Sequence, residues 1–255
     1  MNRMRKTIGL TLVTMVALSA AAVAVANAVE GPFYKVGGSR LLENETRLLL
    51  ASAKPGTPFV LTGTGLTVTC TSLSLPVANE MQLIGSTGAN AGKSLEALHF
   101  TGCTVASNGA GCDVENGLIL TNLVSNLLGY STPTKTGPIL VLFVPDQAKD
   151  FVTIHFKALS GGECKVPSAL VEGSVIGLAR VNGANVVVGS EPAETLHGEV
   201  SFAGLNKTIW MESNGTLMSV KSGFNVGGLG AKFTGIALLL VDSAAGPVNW
   251  GVFTA

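Results

Sequence analysis

Alternation of apolar and polar residues is the clearest pattern along this chain. In residues 65–75, Leu66, Val68 and Cys70 share one face, and the residues between them are threonines. A period of two residues predicts a β-strand with one buried face. The apolar positions then change parity to Leu73, and a parity change within one strand predicts a bulge or a bend just after Cys70.

Several other segments predict strands. Residues 151–159 alternate again, and residues 139–144 are all apolar; so short a run favours a strand buried on both faces over a helix. Asn214-Gly215 separates two β-rich runs within residues 208–220, which predicts a two-residue hairpin turn. After residue 28, no run of a dozen residues keeps a helical period. The chain therefore predicts an all-β fold, an antiparallel β-sandwich or jelly-roll-like body with an N-terminal arm.

The first 28 residues predict an export signal. Arg3, Arg5 and Lys6 give a positive start, an uncharged run over residues 7–25 follows, and the segment ends in the small residues of Ala26-Asn27-Ala28. About 18 apolar residues could also span a bilayer as an uncleaved anchor. The Ala- and Val-rich second half and the cleavage motif favour removal after Ala28.

Residues 29–255 are then expected to form one secreted β domain, in which residues 29–63 are an N-terminal arm or hairpin. All 16 acidic residues lie in this part, whereas three of the 16 basic residues leave with the signal, so its net charge is −3. Nucleic acid and anionic membranes need a basic patch, so neither is an expected partner. We also expect no cofactor and no membrane span after signal removal.

Four cysteines in an exported chain predict two disulfides. Their spacing contains no C-x-x-C pair, so a metal site is disfavoured. Four cysteines allow three pairings. Cys70 and Cys103 lie in β runs of matching length, and neighbouring strands could bring them within bridging distance. This favours Cys70–Cys103 with Cys112–Cys164, while a Cys103–Cys112 bridge with Cys70–Cys164 stays open.

Candidate catalytic groups are few. The histidines are His99, His155 and His197. His155 or His197 could activate a serine beside an acid such as Glu199, but no G-x-S-x-G motif presents a serine. Glu191 and Glu194 flank a proline in a polar loop, so a carboxylate pair for glycoside hydrolysis is disfavoured. We therefore assign no catalytic, cofactor-binding or metal residue and interpret the histidines of residues 155 and 197 as exposed.

Several short motifs have a familiar order. They are T-V-T-C at 67–70, F-T-G-C at 100–103, I-L-T-N at 119–122, L-G-Y at 128–130 and G-S-V-I-G at 173–177. This order resembles a group of uncharacterised secreted proteins of high-GC Gram-positive bacteria, and the similarity covers residues 58–205. The resemblance implies export and a β-rich, disulfide-bonded body, and it implies no activity.

The sequence thus favours a secreted or cell-surface protein without catalytic activity, one that binds a wall polymer, a protein partner or itself. Its oligomeric state is left open. A secreted hydrolase using His155 or His197 is the first alternative. An outer-membrane β-barrel also alternates along its strands, but it needs aromatic girdles, and only 5% of the residues are aromatic.

Overall fold

The computed structural model describes residues 31–43, 45–74, 82–85, 92–190, 192–204, 207–213 and 216–254. The predicted signal peptide, Glu191 and the Asn214-Gly215 turn lie outside these residues. The flanking strands of that turn are described, and they pair with Ser213 opposite Thr216.

Almost every described element is a β-strand. The first twelve strands are β1 (Phe33–Val36), β2 (Ser39–Arg40), β3 (Thr46–Ala53), β4 (Phe59–Gly63), β5 (Leu66–Ser74), β6 (Gln82–Ile84), β7 (Lys93–Glu96), β8 (His99–Ala106), β9 (Cys112–Val114), β10 (Leu118–Leu120), β11 (Val124–Tyr130) and β12 (Ile139–Pro145). One 3-10 turn, Glu115–Gly117, lies between β9 and β10.

The second half of the chain continues in the same way. Its strands are β13 (Asp150–Ala158), β14 (Ser168–Gly173), β15 (Val175–Val181), β16 (Ala184–Asn185), β17 (Gly198–Ala203), β18 (Thr208–Ser213), β19 (Thr216–Lys221), β20 (Phe224–Val226), β21 (Leu229–Gly230), β22 (Lys232–Ser243), β23 (Gly246–Val248) and β24 (Trp250–Phe253). The all-β prediction is therefore confirmed. Within the described residues, no helix is long and apolar enough to cross a membrane.

Eight strands close into an antiparallel barrel. They pair in the order β22, β17, β15, β12, β11, β7, β6 and β3, and β3 pairs back with β22. The predicted β-sandwich or jelly-roll-like body is therefore wrong. The closing contact sets Leu49 opposite Val241, and a pairing between residues so distant in the chain leaves no local pattern in the sequence.

Strand β22 belongs to two structures at once. Its second half pairs with β3 in the barrel, and its first three residues pair with β4, the start of a side sheet ordered β4, β5, β8 and β10. The two partners diverge at Gly235, where a Cβ atom would lie 2.4 Å from the Phe59 ring. Strands β3 and β4 thus follow one another along β22 and do not form a hairpin together.

A second sheet, ordered β9, β13, β14, β20 and β21, faces the side sheet across a layer of phenylalanine rings. We call these two sheets the disulfide lobe. Cys70 on β5 is bonded to its direct cross-strand partner Cys103 on β8, and Cys112 on β9 is bonded to Cys164 in the loop after β13. The sequential pairing that the sequence favours is confirmed.

The faces of β5 and β8 reverse where the sequence predicts a bend. Cys70 and Leu73 are both buried although they differ in parity, and so are Cys103 and Phe100 on the neighbouring strand. Gly102, with φ of +60°, lies between the last two. The reversal lets one strand pair place its disulfide and its apolar residues in the same core.

Two further pieces cover the barrel. Strands β1, β2 and β24 form a small sheet, the cap, whose side chains enter the barrel. Strands β18 and β19 form a hairpin on the outer face, where Ile209 packs against Leu140 and Leu142 of β12. Strand β12 is therefore buried on both faces, which explains its uninterrupted apolar run.

Candidate functional site: a cavity inside the barrel

A stripe of polar side chains lines the barrel interior along β7 and β11. Residues two apart in a strand face the same side, so Ser94 and Glu96 both point inwards and both are buried. Asn126 on β11 lies directly opposite Ser94, and its Nδ2 donates a hydrogen bond of 3.0 Å to Ser94 Oγ.

The cap adds two aromatic side chains to this stripe. Tyr34 is 4% exposed, its hydroxyl is hydrogen-bonded to Ser94, and burial raises the pKa of Tyr34 well above its ordinary value. The ring of Trp250, also 4% exposed, lies 6.1 Å from the Tyr34 ring between centroids. The cap therefore closes the barrel with side chains that carry a polar tip on a large apolar body.

Glu96 is the most unusual residue of the cavity. It is 2% exposed, and burial raises the pKa of its carboxyl to about 8. Desolvation disfavours the charged form of a buried acid, so at pH 7 this carboxyl is mostly protonated. Within the described parts of the chain, it has no hydrogen bond or ion pair.

Four more polar atoms of the cavity lining form no hydrogen bond with the described residues. Arg180 Nε and Glu199 Oε2 belong to the Arg180–Glu199 ion pair, whereas Asn126 Oδ1 and Trp250 Nε1 are buried and have no polar partner. A buried polar group without a partner costs about 1–3 kcal/mol. An acceptor, a donor and the neutral carboxyl of Glu96 thus remain available to a molecule inside the barrel.

Apart from the Arg180–Glu199 pair on β15 and β17, the other walls of the cavity are apolar, with Leu49 on β3 and Val141 on β12 among them. The volume of this cavity that is open to the centres of water molecules is about 40 Å³. One bound water needs about 10–15 Å³ of that volume. The barrel therefore has room for a compact ligand, and its lining is mostly apolar.

A second cavity adjoins the first inside the disulfide lobe. The volume of this second cavity that is open to the centres of water molecules is about 60 Å³, and its lining is almost wholly apolar. Five residues line both cavities and form the wall between them: Phe59, Leu98, Phe100, Phe143 and Phe202. The two cavities are thus neighbours separated by side chains only.

Two other charged residues of the first cavity, Glu199 and Arg180, lie beside each other. Glu199 lies with Oε1 2.7 Å from Lys54 Nζ and with Oε2 3.9 Å from Arg180 Nη1. The one arginine in the lining therefore has a carboxylate beside it. No described lysine or arginine offsets the Glu96 carboxyl.

The histidines that the sequence singled out lie elsewhere. His155 is exposed on β13 of the disulfide lobe, His197 is exposed just before β17, and His99 is half-buried at the start of β8. In the described residues no histidine forms an ion pair with a carboxylate. Glu194 instead accepts hydrogen bonds from the Gly38 backbone at 2.9 and 3.0 Å, joining the loop before β17 to the cap.

Sequence reasoning missed Ser94, Glu96 and Asn126. In Lys93–Glu96 the polar and charged residues occupy both faces of the strand, so its pattern does not distinguish inside from outside. On its own face of β11, Asn126 lies between Val124 and Leu128, and a polar residue on an otherwise apolar face is the available signal. The described part of the chain holds no group of three His, Cys, Asp or Glu residues suited to a metal ion.

Comparison of the chain with protein-family models, with curated proteins and with solved structures finds no match.

Proposed function

We propose that the chain is an exported, non-catalytic binding protein that holds a small, largely apolar molecule inside its barrel. The observation that carries this proposal is the mostly apolar cavity, which is lined by the buried carboxyl of Glu96 and by two polar atoms without hydrogen bonds, Asn126 Oδ1 and Trp250 Nε1. Ligand pockets are typically concave and apolar with a few placed polar groups. A cavity of this kind orients a small molecule and shields it from water.

Export rests on separate support. The first 28 residues have the layout of a signal peptide, and the two disulfides suggest an oxidising environment. N-terminal sequencing of the exported protein should begin at Val29. A mature chain that starts at Met1 would instead favour the membrane-anchor interpretation of this segment.

The cavity favours a small ligand over a wall polymer. A polymer needs an open groove along which its chain can continue, whereas the cap lies across this cavity with Tyr34 and Trp250. The polarity of the barrel also differs from that of outer-membrane barrels, which have polar interiors and apolar outer bands. Here the interior is mostly apolar, and the exposed positions of β3 are Thr46, Leu50 and Ser52, two of which are polar.

Tryptophan fluorescence offers a direct test. Trp250 lines the cavity, and the other tryptophan of the chain, Trp210, lies in the outer hairpin. In a Trp210→Phe variant, titration with small apolar compounds should change the emission of Trp250 saturably. Trp250→Phe serves as the matched control, since its remaining tryptophan should not respond. If no compound changes Trp250 emission and native mass spectrometry finds no bound molecule, the proposed function is overturned.

A further inference from the structure

The carboxyl of Glu96 shows which kind of ligand the cavity suits. It is buried and forms no hydrogen bond or ion pair with the described residues. The one arginine of the lining, Arg180, lies beside the Glu199 carboxylate, and its Nε forms no hydrogen bond. A negatively charged ligand would bring a second acid next to Glu96. A positively charged ligand would supply the missing counter-charge, and the interaction between opposite charges is strong where water is excluded.

The atoms around Glu96 suit the same kind of ligand. Asn126 Oδ1 is an unpartnered acceptor that can receive an N–H hydrogen bond. The rings of Tyr34 and Trp250 lie 6.1 Å apart in the same lining, and aromatic faces attract cations. Acceptor, acid and aromatic rings are the three features that bind ammonium groups.

We propose that the ligand is a small hydrophobic amine, whose ammonium group pairs with Glu96 and Asn126 and whose hydrocarbon part passes the phenylalanine wall towards the second cavity. This inference rests on the proposed function, because it names the ligand class of the same cavity. The second cavity is apolar and therefore suits a tail and not a second charge, and the tail reaches it when the separating side chains Phe59, Phe100 and Phe202 turn aside.

Protonation of Glu96 adds a measurable consequence. Besides Glu96, the groups of the cavity lining that titrate or carry charge are Tyr34, Arg180 and Glu199. Because the pKa of Glu96 is raised to about 8, the carboxyl must lose its proton when it pairs with an ammonium group at pH 7. Amine binding should therefore release close to one proton and strengthen about tenfold from pH 6 to pH 7.

The experiment compares three probes with one tail: n-octylamine, 1-octanol and octanoate. Calorimetry on the unmodified protein should show the amine binding most tightly, with proton release when buffers of different ionisation enthalpy are used. Glu96→Gln should weaken binding of the amine about a hundredfold, as the loss of a buried charge partner does, and weaken binding of the alcohol much less, because glutamine can still hydrogen-bond to a hydroxyl group. Glu212→Gln, at a buried carboxylate in the outer hairpin, is the control and should leave amine binding unchanged.

The outcomes separate this inference from the proposed function. If 1-octanol or octanoate binds more tightly than the amine, or if amine binding releases no proton, the amine assignment is overturned while a ligand cavity stands. If none of the three probes binds, the proposed function fails with it. Should Glu96→Gln not fold, the proton release of the unmodified protein still decides the matter.

Discussion

The barrel and the disulfide lobe share β22, yet they are stabilised in different ways. The barrel holds no cysteine, and its eight strands pair in a closed ring. The lobe consists of two open sheets and holds both disulfides. A closed sheet has no free edge, whereas the lobe ends in short edge strands, β10 and β21. Where hydrogen-bonded closure is absent, covalent cross-links connect the strands.

The interiors of the two regions differ as well. The lobe core is built on phenylalanine contacts, such as the Phe151–Phe224 and Phe224–Phe233 ring pairs. The barrel interior keeps Ser94, Glu96 and Asn126 away from water. Burying polar groups lowers stability unless they are paired. The comparison suggests that the lobe serves stability, while the barrel retains a polar stripe for binding.

Removal of a disulfide should have the largest effect and should fall on the lobe. The Cys112–Cys164 bridge closes a loop of 52 residues and Cys70–Cys103 one of 33. The chain-entropy model gives about 4 kcal/mol of unfolding free energy for each. We expect double alanine variants of either pair to lose about that much in urea unfolding. Protection from hydrogen exchange should be lost first in β8 and β9 of the lobe, and later in β15 and β17 of the barrel. An equal loss of protection in all four strands would mean that the two regions unfold as one.

A change of pH should affect the barrel. The pKa of Glu96 is raised from 4.5 to about 8 in the folded protein, so the folded state holds a proton that the unfolded state releases. Stability is therefore retained below pH about 4.5 and falls as the pH rises towards 8. Glu96→Gln removes this loss and should stabilise the protein by about 3 kcal/mol at pH 7, with little effect at pH 4. An equal gain at both pH values would contradict the buried, neutral carboxyl.

Gly235 tests the strand that joins the two regions. A Cβ atom there would lie 2.4 Å from the Phe59 ring, so Gly235→Ala forces the ring or β22 to move. Overpacking of this kind costs about 2 kcal/mol, and the loss of exchange protection should appear in both regions. Gly246→Ala is the matched control, since Gly246 also has a positive φ, +105° against +145° at Gly235, and nothing lies within 4 Å of its added Cβ atom. Damage limited to one region would show that β22 does not couple them.

The smallest effects are expected at the exposed histidines. His155→Ala, in the lobe, and His197→Ala, at the barrel, should each change the unfolding free energy by less than about 0.5 kcal/mol, as surface substitutions do. Neither should alter the Trp250 fluorescence titration. A hydrolytic activity that disappears with either substitution would revive the secreted-hydrolase alternative.

Much of the strand architecture could be predicted from local patterns. The two-residue period identified β5 and β13, the all-apolar run identified β12, and matching β runs favoured the Cys70–Cys103 bridge. These features depend on neighbouring residues or on one strand pair. The candidate site could not be predicted in the same way. Glu96 and Ser94 are polar, and alternation usually places polar residues on the outer face of a sheet.

The sequence alone determined that the described chain is β-rich, where most strands lie and which cysteines can meet, because these follow from side-chain periodicity and strand length. The tertiary structure alone decided that the sheet closes, since closure depends on Leu49 reaching Val241 across most of the chain. It also decided that Glu96 is inside. In a closed barrel covered by a cap, the inner face of β7 is buried whatever its polarity, and that burial makes an ordinary glutamate a candidate binding group.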